Sequence, residues 1–197
     1  MANRRRRSTA AFLLGLSLLG AQTASAQNMT AVTISVLLHD YANVPAEVLN
    51  QAKGHVTRIY DAIGVEIVWL ELDDVRPTDT PLLRSMVTIH VLSRGMADRM
   101  DSARSVMGAA APGARVIKVF YQRVDQMSNR RNQPTGSLLG HVIAHEIGHL
   151  FLPRNPHVLT GIMQEDLDLR LAASASLWFT PGQGRAIRKN VIARLRK

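Results

Sequence analysis

The chain has no cysteine among its 197 residues, which excludes disulfides and leaves no thiolate that could mask a metal site. No internal repeat and no low-complexity linker follows residue 27, so nothing divides the rest into separate folding units. A run long enough to span a bilayer is also missing: the apolar stretch from Ala10 to Gly20 is eleven residues, against the ~20 that a membrane-spanning helix takes.

That stretch belongs instead to a targeting segment. Arg4-Arg5-Arg6-Arg7 precede it and Ala24-Ser25-Ala26 follow it, the small residues of a cleavage site, so a signal peptide over residues 1–26 and a secreted or periplasmic mature chain from Gln27 are expected. The full chain carries 24 basic and 15 acidic residues, for +9; without the four leading arginines 20 basic residues remain, for +5. This mildly basic balance does not call for nucleic acid, and after cleavage no stable membrane insertion is expected. The remaining 171 residues suit a single domain, 27–197, with one core.

What is present is concentrated between His141 and Met163, HVIAHEIGHLFLPRNPHVLTGIM. On a helix, His145 and His149 stand four residues apart on one face, where two imidazoles can grip a single metal ion, with Glu146 beside them. Neutral imidazoles suit Zn²⁺, and a third protein ligand would leave a fourth tetrahedral position for water, the arrangement of a catalytic site in which Glu146 is the general base. Leu138, Leu139, Val142, Ile143, Ile147, Leu150 and Phe151 recur at helical spacing and give the run a face to bury. Pro134 and Thr135 mark its start and Pro153 its stop.

Beyond Pro153, Asn155-Pro156 is a turn signal that can swing His157 back toward the metal. The alternative third ligand is a carboxylate, with Glu165, Asp166 and Asp168 as candidates. His141 lies eight residues from His149, roughly 12 Å along a helix, too far for the two to share an ion, so a place behind the ligands, lining the cleft or half-exposed is expected.

At HEIGHLFLPRNPH and the following Thr160-Gly161-Ile162-Met163 the chain resembles the metzincin-type zinc peptidases, in which HExxHxxGxxH is followed closely by a methionine turn. Here the third histidine falls twelve residues after the first rather than ten, and Leu152-Pro153 stands where the family has its glycine, so the loop is two residues longer, a spacing similar to that of short secreted bacterial proteins. The resemblance covers about nineteen residues and implies His145, His149 and His157 as zinc ligands, Glu146 as base and Met163 as the turn residue beneath the metal. Metzincins often add a tyrosine after that turn to steady the oxyanion; no tyrosine follows Tyr121 in this chain, which leaves that role unassigned.

Elsewhere, Ala31 to Leu38 reads as a first strand, Pro45 to Ile63 as an amphipathic helix and Val65 to Leu70 as a second strand. Asp73 to Thr80 reads as a polar loop and Met86 to Leu92 as a third strand, with His90 a plain strand residue. Ser93 to Ala114 reads as a long glycine-dotted loop whose end, Val106 to Ala111, stands where metzincins have the cleft-lining edge strand; Val116 to Tyr121 reads as a further strand. Gln122 to Pro134 reads as a loop holding Arg123, Arg130 and Arg131, either solvated or an anionic-substrate patch beside the cleft. Thr180-Pro181 caps a terminal helix with Ile187, Val191, Ile192 and Leu195 on one face.

The expected architecture is α/β, zincin-like: a twisted mixed sheet with an active-site helix and a C-terminal helix. The expected function is zinc-dependent hydrolysis of peptide bonds in a peptide or protein substrate through a zinc-bound water. The alternative is a non-catalytic, zinc-stabilised binding domain of the cell envelope.

Overall fold

Strand β1 (Thr33–Asp40) is an interior strand of the sheet, and its run of four buried residues, Ile34 to Leu37, suits a strand with neighbours on both edges. The computed structural model describes residues 32–71, 73, 83–100, 102–103, 105–153, 156–165 and 177–196. The targeting segment, nearly all of the Asp73 to Thr80 loop, and Asp166 and Asp168 lie outside the described residues.

Helix α1 (Ala46–Asp61) leads from β1 to β2 (Glu66–Leu70), which pairs with β1 in parallel. The turn into α1 is held by Asp40, whose carboxylate accepts the backbone N–H of Ala42 at 2.9 Å and of Val44 at 2.8 Å. β3 (Val87–Leu92) pairs in parallel with the other edge of β1, and β5 (Val116–Phe120) in parallel with β3. β4 (Gly108–Ala111) runs antiparallel to β5, which gives a mixed sheet in the order β2-β1-β3-β5-β4.

Registered neighbours point to the same side of a sheet, so Leu38, Ile89, Ile117 and Ala110 share one face. That face packs in one core with residues of α1, of α4 (Thr135–Phe151) and of α5 (Pro181–Leu195). On the opposite face a small second cluster joins Leu92 and Phe120 to Ala97 of the short helix α2 (Arg94–Asp98). No helix among the described residues is long and apolar enough to cross a membrane.

Two parts of the sequence reading need correction. The stretch read as a loop from Gln122 to Pro134 is mostly helix α3 (Tyr121–Arg131), which buries only Val124 and Ser128 and ends at Asn132 in the left-handed conformation. So narrow a buried stripe leaves little periodicity to see. The long loop from Ser93 to Ala114 contains both α2 and β4, and β1 runs two residues further, to Asp40.

The helix pair α1 and α4 sets the position of the histidines. A Cβ at Gly140 would lie 2.7 Å from the His55 Cβ and 2.8 Å from the Ala52 carbonyl oxygen, so the two helices approach closely only because that residue has no side chain. Tyr60, fully buried on α1, donates its hydroxyl proton to the Ala144 carbonyl at 3.1 Å, one residue before His145.

Candidate metal centre

Helix α4 carries the histidine pair on a segment buried almost throughout, its seven periodic apolar residues all in the core. It stops where the chain turns extended at Leu152, just before Pro153. The last carbonyls of a helix lack partners within it, and here α5 supplies them. The Asn190 side-chain amide donates to the Phe151 carbonyl at 2.6 Å, and the Arg194 guanidinium donates to the Leu150 carbonyl while lying 4.1 Å from the Phe151 ring centre.

Three imidazoles converge just inside this end. His149 Nε2 lies 2.9 Å from His145 Nε2 and 3.2 Å from His157 Nε2, and one ring nitrogen from each of the three falls within 4.8 Å of the others. His145 Nδ1 donates to the Ile162 carbonyl at 2.7 Å; that bond places its proton on Nδ1 and turns the Nε2 lone pair toward its neighbours. Burial, reinforced by His145 and His157, holds His149 down at about 4, and burial also lowers His145 against the opposing hydrogen bond to Ile162. Both therefore stay unprotonated near neutral pH. Neutral nitrogen lone pairs at these separations fit a tetrahedral ion with bonds of about 2.0–2.1 Å to nitrogen, as zinc makes, with one position left for water.

The turn after His157 locks the arrangement from below. Gly161 takes a positive φ of 83°, in the left-handed region where a side chain is strained, and a Cβ there would stand 2.8 Å from the Trp178 carbonyl oxygen. Ile162 N donates to that same Trp178 oxygen at 2.9 Å, which fixes the peptide whose carbonyl orients His145. Val158 N donates to the Met163 carbonyl at 3.1 Å, tying the residue after His157 to the turn. Met163 is fully buried, with its sulfur against Gly148, between the two helical histidines.

Glu146 is buried beside this cluster and lines the same cleft, an opening of about 1150 Å³ bounded by β4, α3, α4 and the loop after α4. Burial alone pushes its carboxyl up to about 8, near the neutral range in which a group can both take and return a proton. Gly108 of β4 faces it without a side chain between them. Neither the Ile162 carbonyl nor Gly108 stands out in the sequence: one acts through its backbone and the other through an absent Cβ. A glycine next to an expected edge strand is the only signal that pointed to the second.

Of the expected site residues, His145, His149 and His157 meet, and Met163 lies beneath them. Glu165 is exposed and lines the cleft, but among the described residues the ligand group consists of the three histidines. His141 is a partial departure from expectation. It is fully buried, donates from Nδ1 to the Ser137 carbonyl at 2.8 Å, and faces His55 of α1 at 5.7 Å between ring centres, so it neither lines the cleft nor is half-exposed. Of the arginine patch, Arg123 is spent internally on the Ser102 hydroxyl at 3.1 Å and on the Ala103 and Val106 carbonyls, both at 2.8 Å, while Arg131 reaches the cleft.

No known protein family matches the chain by sequence, and no curated protein sequence matches it. Solved structures do match in backbone. Archaemetzincin from Methanopyrus kandleri superposes with a TM-score of 0.50 at 14% identity, over 83% of this chain and 98% of that one. A zinc-dependent peptidase from Methanocorpusculum labreanum gives 0.49 at 16% identity, over 79% and 99%. At 14% identity the likeness to the archaemetzincin is one of fold, and it covers nearly all of that protein.

Proposed function

We propose that this protein is a zinc-dependent metallopeptidase in which His145, His149 and His157 hold one Zn²⁺ and Glu146 is the general base. The observation that carries the reading is the convergence of three imidazole nitrogens, with His145 turned into place by its hydrogen bond to the Ile162 carbonyl, while a buried carboxyl stands on the next residue. The fold shared with an archaemetzincin supports it. When bound, the zinc supplies a Lewis acid that acidifies water toward a pKa of about 7 and polarises a carbonyl.

The chain's own residues do the rest. Glu146 takes the proton of the attacking water and later delivers it to the leaving amine, from a position that lines the cleft beside the three histidines. The Ile162 carbonyl holds His145 in the ligating tautomer. Among the described residues β4 pairs on one side only, with β5, so its outer edge can receive an extended peptide backbone. The basic start, short apolar core and small-residue site before Gln27 support export as the route by which the enzyme meets its substrate.

A purely structural zinc site needs no carboxylate at position 146, and that residue is where the test falls. Glu146→Gln keeps zinc and fold while cleavage of a mixed peptide library drops by about 10²–10⁴-fold; a chelator abolishes wild-type cleavage and added zinc restores it. A folded, zinc-loaded wild type that cleaves nothing in a broad library would leave only the binding-domain reading.

A further inference from the structure

The cleft extends past the histidines along α4 in both directions, and the described residues that line it differ in charge between the two. Beyond the C-terminal end of α4 it is lined by Pro153, His157 and Glu165. Toward the N-terminal end it is lined by Val142, one turn before Glu146, and by Met127 and Arg131 of α3. This side adjoins the start of α4, where the hydroxyls of Ser128 and Thr135 share a hydrogen bond of 2.7 Å.

Among the described residues, Arg131 differs from Arg123 and Arg194 in having no hydrogen bond or ion pair to a partner. Arg123 and Arg194 are committed to backbone carbonyls. The ion pairs among the described residues are Lys53–Glu71 and Arg94–Asp98, and neither involves Arg131. A cation in the last turn of α3 complements that helix's dipole, but Arg130 serves the same purpose and does not line the cleft. Arg131 therefore brings an exposed guanidinium, a planar fork suited to a carboxylate, to the wall of the cleft that holds Glu146, with the apolar Met127 one turn away and Val142 opposite.

We infer that Arg131 is a specificity residue that binds a carboxylate of the peptide on the α3 side of the scissile bond, a conclusion that rests on the peptidase reading. The cationic end of this side, reached past apolar residues, matches a carboxylate. Two parts of a peptide offer one: an acidic side chain, or the free carboxylate of its C-terminal residue.

The test uses peptides matched in pairs, glutamate against lysine at single positions, each with a free or an amidated C-terminus. The wild type favours glutamate or the free terminus in kcat/KM. Arg131→Glu turns attraction into repulsion and shifts that ratio by about tenfold or more, the combined effect of two partly exposed charge interactions. Arg130→Glu, an equal charge change outside the cleft lining, keeps the wild-type ratio. Sensitivity to amidation alone assigns the carboxylate to the terminus, and sensitivity to the glutamate–lysine exchange assigns it to a side chain. A ratio unchanged in Arg131→Glu, or shifted as far by Arg130→Glu, overturns the inference and leaves the peptidase reading standing. If the wild type cleaves none of the peptides, equilibrium binding to zinc-loaded Glu146→Gln decides the matter. A charge preference that Arg131→Glu reverses there keeps the carboxylate site while the peptidase reading falls, and indifference to charge removes the site.

Discussion

A Cβ placed on Gly108 would stand 2.6 Å from Glu146 Oε1, 2.7 Å from its Cγ and 2.9 Å from its Cδ, so the backbone of the edge strand rests directly on the carboxylate proposed as base. The close atoms include the stem as well as the tip, and a rotation of the carboxylate cannot relieve the clash. Gly108→Ala is expected to move Glu146 and lower kcat/KM by about 10–100-fold while zinc content stays at the wild-type level, since a displacement near 1 Å can cost about 10²-fold. Steady-state cleavage with metal analysis checks it; wild-type kinetics in Gly108→Ala would mean that the carboxylate has room to spare.

The third ligand is separable from its rival by metal affinity. His157→Ala removes a nitrogen that sits 3.2 Å from His149 Nε2, and zinc affinity is expected to fall by more than the 10–100-fold typical of losing an outer hydrogen-bond partner. Glu165→Ala, exposed and outside the three-nitrogen group, is expected to bind zinc as the wild type does. Competition titrations with a zinc chelator measure both, and the opposite order would give the metal to the carboxylate.

Gly148 is to Met163 what Gly108 is to Glu146. An added Cβ would lie 2.7 Å from the Met163 sulfur and 3.1 Å from Phe179 Cε1, inside a fully packed region. Gly148→Ala is expected to destabilise the fold by about 1–3 kcal/mol through overpacking. It should also weaken zinc binding, because moving Met163 moves the adjoining Ile162 carbonyl that orients His145. Met163→Leu keeps the volume and should cost less than about 1.5 kcal/mol. Thermal unfolding of both variants, with and without zinc, distinguishes the two effects.

Acid sensitivity has a source remote from the metal. Burial, with help from the Arg58 guanidinium and from His141, holds His55 down at about 4, below the usual 6.5. A histidine depressed in the folded state contributes stability that is full above about pH 6.5 and is lost as pH falls toward 4, because the unfolded chain takes up the proton first. The buried neighbour His141 is lowered in the same direction. His55→Gln has no proton to take up at this position, so its melting temperature should fall less steeply than the wild type's between pH 6.5 and 4. Parallel pH profiles would contradict this.

Much of the fold was legible because burial writes periodicity into sequence. The strands at β1, β2, β3 and β5 and the helices α1, α4 and α5 follow apolar spacing, and Thr180 does cap α5, accepting from Gln183 N while the Gln183 side chain accepts from Thr180 N. The helix α3 escaped because a surface helix with a narrow buried stripe leaves little pattern; β4 lies within Val106 to Ala111, where only the family resemblance pointed to an edge strand, because Gly-Ala-Ala-Ala has no strand preference of its own and exists by pairing with β5. The histidine cluster was readable as a spacing. What orients it was not: the Ile162 carbonyl and the close approach at Gly108 are backbone features that any residue order could hide. Likewise Arg194 and Asn190 of α5 serve the end of α4, a partner so distant in sequence that no local spacing shows it.

The edge strand proposed to receive a substrate also bears on the protein's solubility. An unpaired strand edge is a template for any extended chain, including another copy of the same protein, and long flat apolar edges lead to aggregates. β4 offers only four residues, about 13 Å of backbone, with side chains no larger than a methyl group, and Pro112 follows it directly. So short an edge can hold one stretch of peptide for the time a bond takes to break, but it gives a second sheet too little to stack upon. Giving it larger β-branched side chains, for example valines at Ala109 and Ala111, should raise the tendency to aggregate on concentration, and light scattering would register it.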